Sequence, residues 1–137
     1  MLSDILTHIG NDNIISCEAQ EQILNALIPD KNYLHYSGYL YYNYCKRAKI
    51  YVEKGDYESA VQCLQKSLEY AIANDNADKK NTTYRFTSPF FDHCEYNPDN
   101  FYRTGGSSQV EDFYEYIKDK PFDKLHNRED FKKHFNI

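Results

Sequence analysis

The chain has 137 residues, 41% hydrophobic and 27% charged, which sets one domain able to bury about 70% of its unfolded surface. A formal net charge of -5 argues against a nucleic-acid surface, because such a surface needs a basic patch that releases counterions. No apolar run approaches the roughly 18 residues of a membrane-spanning helix, and no charged-then-apolar leader opens the chain.

In chain order, "LSDILTHI" over residues 2–9 predicts a short helix, ended by Gly10 and the polar Asn11-Asp12-Asn13. Asp12 or Asn13 is placed to cap a second helix over about 13–27, with Ile15, Ala19, Ile23 and Leu27 on one face. Pro29 and Asp30 break it. A long Tyr-rich helix is then expected over about 30–54, where Tyr33, Tyr36, Leu40, Tyr44, Ala48 and Tyr51 recur at three- and four-residue spacing. Gly55 supplies a left-handed stop and Asp56 the cap of the next helix, over about 56–74, which carries Ala60, Leu64, Ser67, Leu68 and Ala71 on one face.

Regular structure is hard to find over about 76–108, which Pro89, Pro98, Gly105 and Gly106 punctuate. Tyr84, Phe86, Phe90, Phe91, Tyr96, Phe101 and Tyr102 make it too aromatic for a free linker, so an ordered loop with Phe90 or Phe91 in the core is expected. Val110, Phe113, Tyr114 and Ile117 repeat at i, i+3, i+4, i+7 and predict a helix over about 109–119, ended by Pro121. A last helix over about 128–135, capped by Asn127, buries Phe131 and Phe135. The fold class read from these patterns is all-α: antiparallel helix hairpins, an ordered aromatic-rich loop and short C-terminal helices in a single domain over 1–137.

Two helices joined by a glycine turn lie antiparallel and leave a face for a neighbour to cover, which is the logic of helical repeat arrays. The spacing around the stretch "KIYVEKGDYESAVQCLQKSLEYA" resembles a tetratricopeptide repeat over about 34 residues. Tyr44, Ala48 and Tyr51 match its first aromatic, small and second aromatic positions; Gly55 and Tyr57 match its turn; Ala60, Leu64 and Ser67 match the small, large and small positions of its second helix. Arg47 departs from a leucine, and Ile72 from a helix-ending proline, which implies a longer second helix. Over most of the chain, the blocks "CKRAKIYVEKGDYESAVQCLQKSLEYAI", "FTSPFFD", "NPDNFYR" and "FYEYIKDKPFDKLHNREDFKKHF" resemble the C-terminal half of Firmicute Xre/Cro-type helix-turn-helix transcriptional regulators. The resemblance implies a sensor or oligomerisation domain acting in the cytoplasm. Its partner is a peptide, a protein or a second copy of itself (a homodimer), and DNA contact comes only through a helix-turn-helix that these residues lack. The sequence is then expected to be a fragment of a longer regulator or a truncated relative.

In such repeats the first helix lines a concave groove. Tyr39, Tyr42, Lys46, Lys49 and Glu53 share the face of the long helix that does not carry its core stripe. Rings and lysine tips suit an extended peptide, whose backbone and carboxylates need polar partners in a mostly apolar trough. The alternative is that the rings pack on the preceding helix and the lysines are solvated. Asn43 is a candidate anchor for a peptide backbone, since an amide both donates and accepts; the alternative is a solvated side chain.

No cofactor, metal or catalytic role is expected. Cys17, Cys45, Cys63 and Cys94 lack CxxC spacing and read as structural thiols of a reducing compartment. Asp92-His93-Cys94-Glu95 is adjacent in sequence and lacks zinc spacing, and His126 and His134 read as surface residues. GxSxG, HExxH and P-loop patterns are absent; "TGGSS" at 104–108 precedes a helix that can attract an anion, but it has no P-loop lysine.

Overall fold

The computed structural model describes residues 2–9, 12–79, 83–91, 94–98 and 108–136. It is mostly helical: α1 (Leu2–Ile9), α2 (Ile14–Leu27), α3 (Ser37–Glu53), α4 (Tyr57–Asn76), α5 (Gln109–Tyr116) and α6 (Glu129–Phe135). Short 3-10 turns occupy Leu34–Tyr36, Pro89–Phe91 and Lys120–Leu125. No helix among the described residues is long and apolar enough to cross a membrane.

The α3–α4 hairpin forms for local reasons. Gly55 takes φ 80°, its N–H donates to Val52 O at 3.0 Å, and the Asp56 N–H donates to Tyr51 O at 2.9 Å. This pair of bonds is a Schellman stop, which uses the carbonyls that a helix end otherwise leaves bare. Asp56 then caps α4 by accepting from the Ser59 N–H at 3.2 Å. Across the hairpin Tyr41, Cys45, Ala48 and Val52 meet Ala60, Val61, Cys63, Leu64 and Ala71. Ala48, Ala60, Leu64 and Ser67 are fully enclosed, while Tyr44, Tyr51 and Tyr57 line the seam half-buried. The small residues let the two backbones approach, and Phe113, Ile117, Phe122, Leu125, Phe131 and Phe135 close this core from the C-terminal side.

A second core joins Leu6, Leu24 and Ile28 from the N-terminal helices to Tyr33, Leu40, Phe86 and Tyr96. Phe86 directly follows, and Tyr96 belongs to, a small antiparallel pair, β1 (Tyr84–Arg85) and β2 (Glu95–Tyr96), in register Tyr84 with Tyr96 and Arg85 with Glu95. The described part of the aromatic segment is therefore docked and contains strands inside the expected loop. Its anchors are Phe86 and Tyr96; Phe91 stacks half-buried on Phe86 with ring centroids 4.9 Å apart, and Phe90 is 67% exposed. Placing Phe90 in the core is thus corrected: the 3-10 turn leaves only one of two adjacent rings facing inward. Phe101, Tyr102 and residues 104–107 of "TGGSS" lie outside the described residues.

Four other expectations change. On α2 the buried face is Cys17, Gln20 and Leu24, continued by Ile28, whereas Ile15 of the expected stripe is 79% exposed. Gln20 can be enclosed because its amide donates to Leu6 O at 3.2 Å and its carbonyl accepts from Asn43 at 2.8 Å. The long helix does not begin at residue 30. Lys31 and Leu34 have φ of 62° and 51°, and a right-handed helix cannot propagate through left-handed residues. Asp30 captures the Asn32 N–H at 3.2 Å instead, in a local turn. Finally, α5 stops at Tyr116 rather than 119, and Arg128 rather than Asn127 stands at the cap of α6.

The N-terminus of α5 is already supplied with an anion. Ser108 accepts from the Glu111 N–H at 3.1 Å, and the Asp75 carboxylate accepts from the N–H groups of Gln109 and Val110 at 2.9 and 3.0 Å. A carboxylate at the positive end of the helix dipole clips α5 to α4.

Candidate binding surfaces

Packing assigns three faces to α3. Leu40, Asn43 and Arg47 lie toward α2, and Tyr41, Cys45, Ala48 and Val52 toward α4 and the C-terminal core. The remaining arc holds Tyr39, Tyr42, Lys46, Lys49 and Glu53, because residues three, four and seven apart align on a helix. Tyr42 is 58% exposed and meets Tyr41 edge-on, with centroids 4.9 Å apart. Lys46 and Lys49 are half-buried, and neither makes an ion pair among the described residues. Tyr39 is half-buried and belongs to the second core, its ring 6.0 Å from Tyr36. Of the proposed groove residues, Tyr42, Lys46 and Lys49 therefore share an accessible face, and Tyr39 marks its packed end.

Asn43 is not on that face, which corrects its assignment as an anchor. It is fully buried; its amide donates to Cys17 O and Gln20 Oε1, both at 2.8 Å, and its Oδ1 accepts from Arg47 Nε at 2.8 Å. With these bonds made, little capacity remains for a partner. Arg47 continues the network: its guanidinium bonds Glu21 Oε1 at 3.0 Å and lies 4.4 Å over the Tyr44 ring, while the Tyr44 hydroxyl donates to Glu21 Oε2 at 2.6 Å. Burial opposes the charge on Arg47, but Tyr44 and Glu21 outweigh it and hold the guanidinium above its ordinary pKa. Burial and the Glu21 carboxylate push the Tyr44 phenol far up, so it stays a donor. Arginine can be enclosed here because it has a carboxylate and an amide to meet. The sequence signal for this network was a polar pair, Asn43 and Arg47, four apart beside an apolar stripe, matched by Gln20 and Glu21 on the preceding helix.

An open cleft of about 630 Å³ lies elsewhere, between the segment joining α2 to α3 and the outer face of α4, and touches α3 only at Ser37. Its rim includes Lys31, Lys66 and Glu69, and its walls include Tyr33, Tyr70 and Tyr84.

Several other reactive groups are occupied or shielded, while Cys94 is exposed. All four cysteines are free; burial lifts the Cys45 and Cys63 thiols to about 11 and raises Cys17, which suppresses thiolate chemistry. His35 packs between rings, 4.3 Å from Tyr96 and 4.2 Å from Tyr36, and burial lowers its pKa to about 4. His126 bonds Ile117 O at 2.9 Å, while His134 is exposed. Among the described residues no group of three His, Cys, Asp or Glu side chains could hold a metal ion; Asp92 and His93 lie outside them. Comparison with protein-family models, with curated proteins and with solved structures finds no match to this chain.

Proposed function

We propose that this chain is a tetratricopeptide-like helical module that binds a peptide or protein segment, as the sensor or oligomerisation half of a transcriptional regulator. The observation that carries the reading is the outer face of α3, where Tyr42 is 58% exposed beside the half-buried Lys46 and Lys49. Tyr42 offers a ring for a partner side chain, and Lys49, two turns along, offers an ammonium for a carboxylate or backbone carbonyl. The Gly55 turn and the small residues Ala48, Ala60 and Ser67 in the hairpin seam support the repeat assignment. DNA contact would come through a separate reader domain. A partner would act by favouring one curvature of the helices over another, and so shift the geometry of attached readers. The test is a selection of peptides from a random library against the chain, followed by affinity measurements on a Tyr42→Ala, Lys49→Ala double variant. Selected peptides should bind the variant at least about tenfold more weakly, with thermal stability preserved. Undiminished binding, or unfolding of the variant, refutes the assignment of this face.

A second reading, a constitutive dimerisation scaffold, is favoured by Ile15, 79% exposed on the outer side of α2. Sedimentation separates the two: a scaffold is dimeric without any ligand and becomes monomeric in Ile15→Lys.

A further inference from the structure

The cleft beside α4 has the build of a small-molecule site, and its about 630 Å³ falls in the usual range for one. Its aromatic wall is Tyr70, with Tyr33 set edge-on to it at 6.0 Å, and Ala73 and Ala77 keep the adjoining surface low. Lys31 stands on the rim and makes no ion pair among the described residues. Lys66 and Glu69, across from it, neutralise each other at 3.4 Å. Among the described residues the cleft therefore presents one uncompensated cation next to an aromatic surface.

The segment that displays Lys31 is held in place. Lys31 and Leu34 adopt left-handed φ values of 62° and 51°, which bulky residues keep only where their surroundings dictate it. Those surroundings are visible. Asp30 accepts from the Asn32 N–H and from the Thr87 hydroxyl, Asn32 Nδ2 donates back to Thr87 Oγ1 at 3.1 Å, and Ser88 Oγ donates to Leu27 O at 2.5 Å. The Tyr33 hydroxyl, between the two left-handed residues, donates to Asn25. A preformed rim reduces the ordering that binding would otherwise require.

We propose that this cleft binds a small aromatic monocarboxylate, its ring against Tyr70 and over Ala73, and its carboxylate on the Lys31 ammonium. One free cation matches one negative charge. A dianion such as phosphate would need a second donor, and the Glu69 carboxylate beside Lys66 opposes a second negative charge there. A flat ring suits a tyrosine wall, where offset or edge-on contact adds to the burial of area. This site is separate from the outer face of α3 and does not depend on that reading.

The test is amide chemical-shift mapping on the nitrogen-15-labelled full chain with three probes: indole-3-acetate, the neutral indole-3-ethanol and inorganic phosphate. Indole-3-acetate should shift the amides of residues 31–34 and 69–77, and the alcohol and phosphate should each bind about tenfold or more weakly by comparison, as loss of a charged hydrogen bond or of the ring contact requires. Lys31→Asn removes the charge with a residue that tolerates the left-handed backbone. It should reduce indole-3-acetate binding by about tenfold and leave indole-3-ethanol unchanged. Ala73→Phe, at an exposed position, should fill the cleft and abolish binding of both indoles. Equal affinity for acid and alcohol, no shift in these two segments, or full affinity in Lys31→Asn each overturns the proposal. Tyr42→Ala should leave indole-3-acetate binding intact; loss of binding there would place the ligand on α3 and overturn it as well.

Discussion

Arg47→Leu places an apolar residue at an enclosed position of α3, and it should nonetheless destabilise this protein. The substitution removes the 2.8 Å bond from Nε to Asn43 Oδ1, the 3.0 Å ion pair with Glu21 and the 4.4 Å stacking on Tyr44. Asn43 is fully buried, so its Oδ1 is left without a donor where water does not reach, at a cost of about 1–3 kcal/mol. Glu21 fares better. Its side chain is 21% exposed and keeps the Tyr44 hydroxyl, so its cost stays below the about 3–5 kcal/mol of a fully stranded buried charge. Leucine recovers part of the loss by packing, for a net destabilisation of about 2–4 kcal/mol. Urea denaturation at pH 7 measures it as a shift in midpoint at constant slope. Adding Glu21→Gln to Arg47→Leu removes the stranded charge and should return about 1 kcal/mol. If Arg47→Leu is neutral or stabilising, or if the second substitution makes matters worse, the network does not hold α2 to α3.

Three further outcomes follow from the packing. Ala60→Leu, at a fully enclosed site in the hairpin seam, should cost about 1–3 kcal/mol through overpacking, read as a fall in melting temperature. Phe86→Ala should cost about 3–5 kcal/mol and expose the 84–96 segment to limited proteolysis, since this ring is 6% exposed and anchors the segment to the second core. His35 has a pKa of about 4 in the fold against 6.5 in the unfolded chain, so the unfolded state binds the extra proton. Its share of stability is full above pH 6.5 and is lost as pH falls toward 4, by about 1–2 kcal/mol once partial solvent screening is allowed for. His35→Phe should flatten that part of the pH profile in urea melts, and an unchanged slope refutes the assignment.

What the sequence determined by itself is what neighbouring residues settle among themselves. Gly55 followed by Asp56 stops one helix and caps the next through bonds spanning at most five residues, so the hairpin was legible from order alone. The small positions Ala48, Ala60 and Ser67, and the C-terminal stripe of Phe113, Ile117, Phe131 and Phe135, were legible because helical periodicity puts apolar groups on one side. The face of α3 carrying Tyr42, Lys46 and Lys49 followed from the same arithmetic. Tertiary structure decided which polar groups go inside. Asn43 reads as a solvated or partner-binding amide until Cys17, 26 residues away, supplies a carbonyl and Gln20 an acceptor. The same holds for Arg47, whose carboxylate partner is Glu21, and for Gln20, whose burial turned α2 away from the Ile15 stripe. The pairing of Tyr84 with Tyr96, and the choice of Phe86 over Phe90 as anchor, also depend on contacts between segments far apart in the chain. A buried polar group is tolerable only when its partner arrives with it, and local pattern carries no information about distant partners.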